Sequence, residues 1–352
     1  MELCKLLEQI GPPDEAARAA ARERWNSRAK PLGSLGLLET AIEDIAALTG
    51  SADVALASKA LLVLCADNGV VRRGVSQSGS EVTAAVARQL AQGRTSACRM
   101  AEVAGCRVVP VDMGILDFSP CAGVLDRRIG NGTADFTQGP AMAREQAERA
   151  ILTGIELVRD EAARGTRLLA AGEMGIGNTT TASAVTSVLL ERSAQDVTGR
   201  GAGLSDEALA RKIRAIRLGV STNRPSPWDA VDVLAKVGGF DLAGMCGVFL
   251  GGALYRVPVL IDGFPSAVAA LCAQRICPDA GKAMLSSHAS AEPAGAAVLK
   301  ALGKKPLITA GLRLGEGSGA VAAMPLLDMA LAVYRDAYTF AEGGIEPYTP
   351  QC

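Results

Sequence analysis

From Leu168 to Ala184 the chain passes from an apolar run, Leu168-Leu169-Ala170-Ala171, through Gly172-Glu173-Met174-Gly175-Ile176-Gly177 into Asn178-Thr179-Thr180-Thr181-Ala182-Ser183-Ala184. A short run with no polar face predicts a buried strand, and the apolar continuation predicts a helix opening at Asn178, a residue type suited to the N-cap. Glycine lets backbone N–H groups approach a ligand closely, and the first helical turn adds unpaired donors and the positive end of the helix dipole. Such a turn is an anion cradle, with phosphate as its natural guest and Gly175, Gly177, Asn178, Thr179 and Thr180 as candidate contacts. Threonine opens a helix poorly because its branched side chain is stiff there. Consecutive threonines therefore mark hydroxyls wanted for hydrogen bonding, although glycine-rich strand-to-helix turns also occur as plain packing turns.

The same alternation recurs along the chain. Runs at Ala60–Ala66, Arg107–Val111, Thr166–Ala171, Arg256–Ile261, Ala283–Ser286 and Pro306–Ala310 are separated by longer stretches with helical periodicity. Strands apolar on both faces, with helices between them, predict an α/β fold: a parallel sheet joined by right-handed crossovers, with helices on both faces. Just beyond these runs stand Asp67-Asn68-Gly69, Asp112-Met113-Gly114, Gly172-Glu173, Asp262-Gly263 and Ser287-His288, while Gly315-Glu316-Gly317 lies a little past the sixth. The carboxyl ends of strands are where an open α/β sheet holds its ligand. Residues 1–50 read as helices, a long apolar helix follows from about Ala320 to Tyr334, and 338–352 is a polar tail. Both ends of the chain are expected to make a small cap beside the sheet.

Aromatic residues are only 3% of a chain that is 49% hydrophobic, which argues against a base-stacking nucleic-acid surface. A formal charge of −1, from 36 basic and 37 acidic residues, implies no steering of a polyanion, so the substrate is expected to be small. Nine cysteines are scattered from Cys4 to Cys352, no Cys-x-x-Cys occurs, and His288 is the only histidine. They read as reduced thiols of a cytoplasmic protein rather than as disulfide partners or zinc ligands. The first residues, Met1-Glu2-Leu3-Cys4-Lys5, lack the basic and apolar regions of a signal peptide, and no apolar run has the length of a membrane span. A soluble, unexported protein is expected.

A second glycine-rich loop, Thr198-Gly199-Arg200-Gly201-Ala202-Gly203-Leu204, precedes a helix over Ser205–Leu218. At 100° per residue Leu209, Ile213 and Ile216 share a face and Lys212 falls at its edge, pointing inward. A lysine there either lays its stem over apolar surface or reaches a phosphate or carboxylate beside Gly201 and Gly203. Glu316, between two glycines, is free to be placed in a pocket as a base, or serves the dipole of the helix that follows. Glu173 either joins the site or holds loop N–H groups. Asp262 at a strand end either binds substrate hydroxyls or stabilises its own turn. Ser286, Ser287 and Ser290 surround His288 in an anion-binding turn, with His288 itself read as structural. Ser78-Gly79-Ser80-Glu81 reads as a capping box.

Gly172 to Ala182, Ala66-Asp67-Asn68-Gly69-Val70, Gly74-Val75-Ser76, Ser286 to Glu292 and Leu314-Gly315-Glu316-Gly317-Ser318-Gly319-Ala320 together resemble the nicotinate mononucleotide:dimethylbenzimidazole phosphoribosyltransferase family, over about residues 10 to 340. The resemblance implies a large Rossmann-like α/β domain over residues 56–324, a small helical domain built from 1–55 with 325–352, and a dimer with an identical or paralogous partner. It implies transfer of 5-phosphoribosyl from nicotinate mononucleotide to the lower-ligand base of a cobamide, with no cofactor, no metal, no nucleic acid and no membrane. By the same likeness Glu316 matches the catalytic glutamate, Glu173 and Lys212 match positions around the ribosyl phosphate, and Ser76 and Ser78 lie where the lower-ligand pocket begins. Two departures fall near the acceptor: Asn68 stands where a histidine is frequent, and Ala294-Gly295-Ala296 follows Pro293 where another is common. The acceptor is left open among dimethylbenzimidazole, other benzimidazoles, purines and phenols.

Displacing nicotinate from a pyridinium creates no pyrophosphate charge, so the chemistry needs no metal. Two other readings stand beside the transferase. A binding or regulatory subunit of the same fold, inactive alone, is opposed by the presence of Glu316, Glu173 and Lys212, while a paralogous subunit of a heteromeric phosphoribosyltransferase acting on phenols stays an alternative. A dinucleotide-dependent oxidoreductase is opposed by the lack of a Gly-x-Gly-x-x-Gly after the first strand with an acid about 20 residues later.

Overall fold

A computed structural model describes residues 2–349; Met1 and Cys352 lie outside the described residues. Among the described residues six strands form one parallel sheet: β1 (Lys59–Ala66), β2 (Cys106–Gly114), β3 (Leu125–Asp126), β4 (Leu168–Met174), β5 (Val259–Ile261) and β6 (Met284–Ser286). Their order is β3-β2-β1-β4-β5-β6, so the chain turns to opposite sides of β1 and opens a crevice between the carboxyl ends of β1 and β4.

The helices before β2 are α1 (Glu2–Leu7), α2 (Glu15–Ser27), α3 (Leu37–Thr49), α4 (Glu81–Ala91) and α5 (Ser96–Val103). Then come α6 (Arg144–Ala163), α7 (Asn178–Leu189), α8 (Ala194–Val197), α9 (Asp206–Asn223), α10 (Ala230–Val237) and α11 (Phe240–Leu254). The last are α12 (Phe264–Ile276), α13 (Gly295–Ala301) and α14 (Ser318–Asp336).

The period-2 geometry of a strand divides the core in two. Leu62, Leu64 and Ala66 of β1 face one apolar cluster with residues of α6, α7, α11 and α12. Leu61, Val63 and Cys65 face the other, with residues of α3, α5 and α14. Scarce aromatics are offset by close backbone approach: a Cβ on Gly247 of α11 would collide with the Ile151 carbonyl of α6, and one on Gly251 would lie 2.9 Å from Cβ of Val158.

The two ends of the chain meet on the α14 side of the sheet. Trp25 of α2 and Tyr334 of α14 stack edge to face with ring centroids 5.0 Å apart. The Arg28 guanidinium donates to the carbonyls of Tyr334 (3.0 Å), Arg335 (2.8 Å) and Ala337. α14 runs without interruption through residue 325, carrying Pro325 within it.

Two expectations are corrected here. Pro306–Ala310 is not a strand but touches the sheet region through a single parallel bridge, His288 to Ile308, and the sixth strand is the two-residue β3 at the other edge. The segment contains no residue pattern long enough to pair beside β6, itself only three residues. Ser78 does not cap α4: the N-cap is Ser80, in helical conformation and without a side-chain cap bond. Among the described residues no helix is long and apolar enough to cross a membrane.

Candidate active site

At the carboxyl ends of β4 and β5 lies a cavity of about 180 Å³, lined among others by Glu173, Gly175, Asn178, Thr179, Gly201 and Ser290. Larger clefts, of about 460 Å³ beside the start of α6 and about 330 Å³ between α3 and β6, lie away from the crevice of the sheet. The small cavity is the one where the glycine loops meet Glu173, the acid of β4.

The Gly172 loop leaves β4 and enters α7 through Gly177, the actual N-cap, at φ +91°. Only glycine takes that conformation without strain. Asn178 is thus the first helical residue rather than the cap, and its side-chain amide donates to Glu173. Thr179 faces the cavity. Thr180, one residue on, is rotated into the core, where its hydroxyl has no hydrogen-bond partner among the described residues. Thr181 back-bonds to the Asn178 carbonyl at 2.9 Å.

Behind the cavity wall Lys212 is fully buried, at the centre of the inward face of α9 with Ala208, Ala215 and Ile216. Its ammonium donates to Thr179 Oγ1 at 2.8 Å and to the Gly199 carbonyl at 3.1 Å. Burial lowers its pKa to about 8, against the opposing attraction of Glu292. The second glycine loop therefore meets the first through this lysine. Gly201 turns at φ +53°, with its N–H toward Glu292 Oε1 at 3.1 Å. Gly203 lies at the rim, where Gln77 donates to its carbonyl and ties the 74–78 loop to it.

Glu316 sits at φ +59° between Gly315 and Gly317, themselves at +91° and +82°. A non-glycine residue there is strained by roughly 1–3 kcal/mol, and such strain persists where surroundings impose it. They do so from two sides. Gly172 allows the turn to lie directly on β4, since a Cβ there would come within 2.7 Å of Gly317 N. Asp262 then accepts N–H bonds from Gly317 at 3.1 Å and Ala320 at 2.9 Å, fixing the start of α14. The Glu316 carboxylate points past the cavity to the first turn of α5, its Oε2 accepting the Ala97 N–H at 3.5 Å.

Glu173 is buried, and its pKa is pushed up to about 8, first by burial and then by the charges of Asp241, Asp262 and Glu316, with Asn178 opposing. Burial thus favours its protonated form near pH 7. Asp241, at the start of α11, is likewise pushed up to about 7 by burial. Asn68 stands beside it and donates to the Ile176 carbonyl at 3.4 Å, while Ile176 N–H donates to Thr83, whose hydroxyl donates to Asp67. The loop after β1 thereby holds the glycine loop after β4.

Several expected contacts lie off the cavity. Asp262 does not line the cavity, and its two oxygens accept N–H bonds at the start of α14. Ser287 is fully buried, its hydroxyl shared between the Ile261 carbonyl and His288 Nδ1. Ser76 accepts the Ser78 N–H at 3.3 Å in a local turn, and neither serine lines the cavity. Ser290 does, as does His288, whose ring packs so closely on Gly319 that no Cβ fits there. Sequence reading missed Arg313 and Glu292 in the wall, though both fall within or beside the quoted motifs, and Asp241, the lone acid of an otherwise apolar helix.

A family model described as "Phosphoribosyltransferase" matches residues 10–345. The nicotinate-nucleotide–dimethylbenzimidazole phosphoribosyltransferase of Acetivibrio thermocellus is 44% identical over 349 residues, 99% of each chain. The protein of the same name from Clostridium acetobutylicum is 39% identical over 350 residues, again 99% of each. The crystal structure of CobT from Thermus thermophilus superposes with a TM-score of 0.90 at 40% identity, covering 95% of this chain and 100% of that one.

Proposed function

This chain belongs to the nicotinate-nucleotide–dimethylbenzimidazole phosphoribosyltransferase family, and on that premise we propose that it transfers 5-phosphoribosyl from nicotinate mononucleotide to a dimethylbenzimidazole-type base, releasing nicotinate. The observation that carries this is the stacking of two distant glycine turns at the sheet crevice: Gly172–Gly177 around the cavity, and Gly315–Gly317 pressed upon it with Glu316 held left-handed.

The donor's phosphate takes the Thr179 hydroxyl and the Gly201 N–H at one wall, with the buried Lys212 ammonium behind them, bonded to Thr179, supplying positive charge. A ring nitrogen of the acceptor attacks C1′ with its lone pair as the C1′–N bond to nicotinate breaks and those electrons neutralise the pyridinium. Attack from the face opposite the leaving group inverts the β-nucleotide to an α-riboside phosphate. Glu316 takes the proton from the acceptor's opposite N–H, and its carboxylate, turned toward the first turn of α5, supports an acceptor on that side of the 315–317 turn. Glu173, whose pKa burial raises and which lines the cavity, donates a hydrogen bond to the ribose side of the substrate.

We also propose that the helical ends, 1–55 with 325–352, act as one unit beside the 56–324 body, that two copies of the chain pair, and that the protein works in the cytoplasm, where the free, mostly buried cysteines stay reduced. Incubation with nicotinate mononucleotide and a panel of benzimidazoles, adenine and phenols, with products read by mass, tests the activity and its acceptor. Nicotinate riboside, lacking the phosphate, is expected to be a much poorer donor; equal use of both would remove the phosphate assignment.

A further inference from the structure

One acid in the cavity wall has no part in the reaction just described. Glu292 Oε1 accepts the Gly201 N–H at 3.1 Å, and its Oε2 is buried without a hydrogen-bond partner among the described residues. Gly199 leaves room for this carboxylate, since a Cβ there would collide with Oε2. On the other side of the same turn Lys212 spends hydrogen bonds on Thr179 and the Gly199 carbonyl, and an ammonium has three donors, so one remains. The groups assembled for an anion thus already face one, supplied by the chain. It is held by a single backbone N–H, with a bare second oxygen, whereas a phosphate brings more acceptor oxygens and more charge to the same donors.

We propose that Glu292 is an internal stand-in for the donor's phosphate, accepting the Gly201 N–H until the phosphate displaces it. The inference rests on the reading of Gly201 and Lys212 as the phosphate site. Displacement makes the charge of the incoming group decisive: a phosphate ester gains the Gly201 and Lys212 contacts, while a riboside leaves the carboxylate in place. Glu292 is accordingly a specificity-determining residue, and it counters the Lys212 charge until the phosphate arrives.

Calorimetric titration of the full-length protein with inorganic phosphate at pH 7 tests this without turnover, on wild type, Glu292→Gln, Glu292→Ala and Lys212→Met. The glutamine keeps the shape and one neutral acceptor, so it decides if the alanine variant does not fold. Removing the competing charge should tighten phosphate binding by about tenfold in Glu292→Gln, and by at least as much in Glu292→Ala, the scale of one charged hydrogen bond. KM for nicotinate mononucleotide should fall in the same order with kcat nearly unchanged, and nicotinate riboside should remain poor. Weaker or unchanged phosphate binding in both Glu292 variants, with Lys212→Met impaired, would leave the cradle standing and overturn the stand-in. Unimpaired binding to Lys212→Met, or no binding to any form, would overturn the cradle and the stand-in together.

Discussion

Glu316 is costly to place and is placed nonetheless. Its left-handed backbone is imposed by the close seat of Gly317 on Gly172 and by the Asp262 bonds to α14, so strain is spent on aiming one carboxylate. Glu316→Gln keeps the side-chain shape and should lower kcat by about 10²–10⁴-fold, with little change in KM for the donor held at the Lys212 wall. Glu316→Gly should be inactive yet melt higher than wild type, because glycine takes φ +59° freely. A glycine variant that melts lower would remove strain from the account, and a glutamine variant with normal kcat would move the base elsewhere. The candidacy of Glu316, Glu173 and Lys212 was legible because glycines and helical phase mark them in the sequence. The role of Asp262 was not: its partners lie 55 and 58 residues downstream, and nothing local distinguishes an acid that binds sugar from one that caps a distant helix. Thr180 was misassigned because a run of like residues hides the 100° turn that sends one to the cavity and the next to the core.

At the level of elements the alternation of apolar runs and helices disclosed β1, β2, β4, β5 and β6 but not their lengths. β3, with only two residues, has no periodicity to read, and Pro306–Ala310 has the composition of a strand without a partner edge long enough to recruit it. The order of the strands was beyond local reading too, although it decides that β1 and β4 adjoin and that their loops share one crevice. What binds α11 to α6 is equally non-local. Gly154, Gly244 and Gly247 let the two backbones touch, and a Cβ on Gly154 would lie 2.8 Å from the Gly247 Cα. Gly247→Ala should therefore destabilise by about 1–3 kcal/mol despite alanine's better helix propensity, since neither backbone can yield without unpacking one face of the sheet. Urea unfolding measures this; a gain in stability, as propensity alone predicts, would mean that the two helices separate readily.

On the scale of the whole molecule, acids are buried beneath the site and the ends of the chain are fastened together behind it. Both features concern folding as much as catalysis. Glu173 and Asp241 have folded-state pKa values of about 8 and about 7, above the ordinary 4.5 and 3.8, chiefly because burial penalises their charged forms. The folded protein consequently holds protons that the unfolded chain has released. Their contribution is fully present below the unfolded pKa values and is lost as pH rises through the folded ones, at on the order of 1 kcal/mol per pH unit for each group while it stays protonated only in the folded state. Lys212 acts in the opposite sense, but only between about 8 and 10.5, where the unfolded chain binds the proton that the buried amine has shed. His288, lowered by burial beside Asp262, opposes the trend at acid pH, so the raw curve mixes several groups. The comparison with Glu173→Gln/Asp241→Asn separates them, because amides keep the hydrogen-bonding shape without a titration. The variant should gain on wild type steadily from pH 5 to 7, more slowly from 7 to 8, and no further above that. A difference in Tm that stays constant across this range would show that both carboxyls are already ionised at pH 5, and the raised pKa of Glu173 would have to be given up.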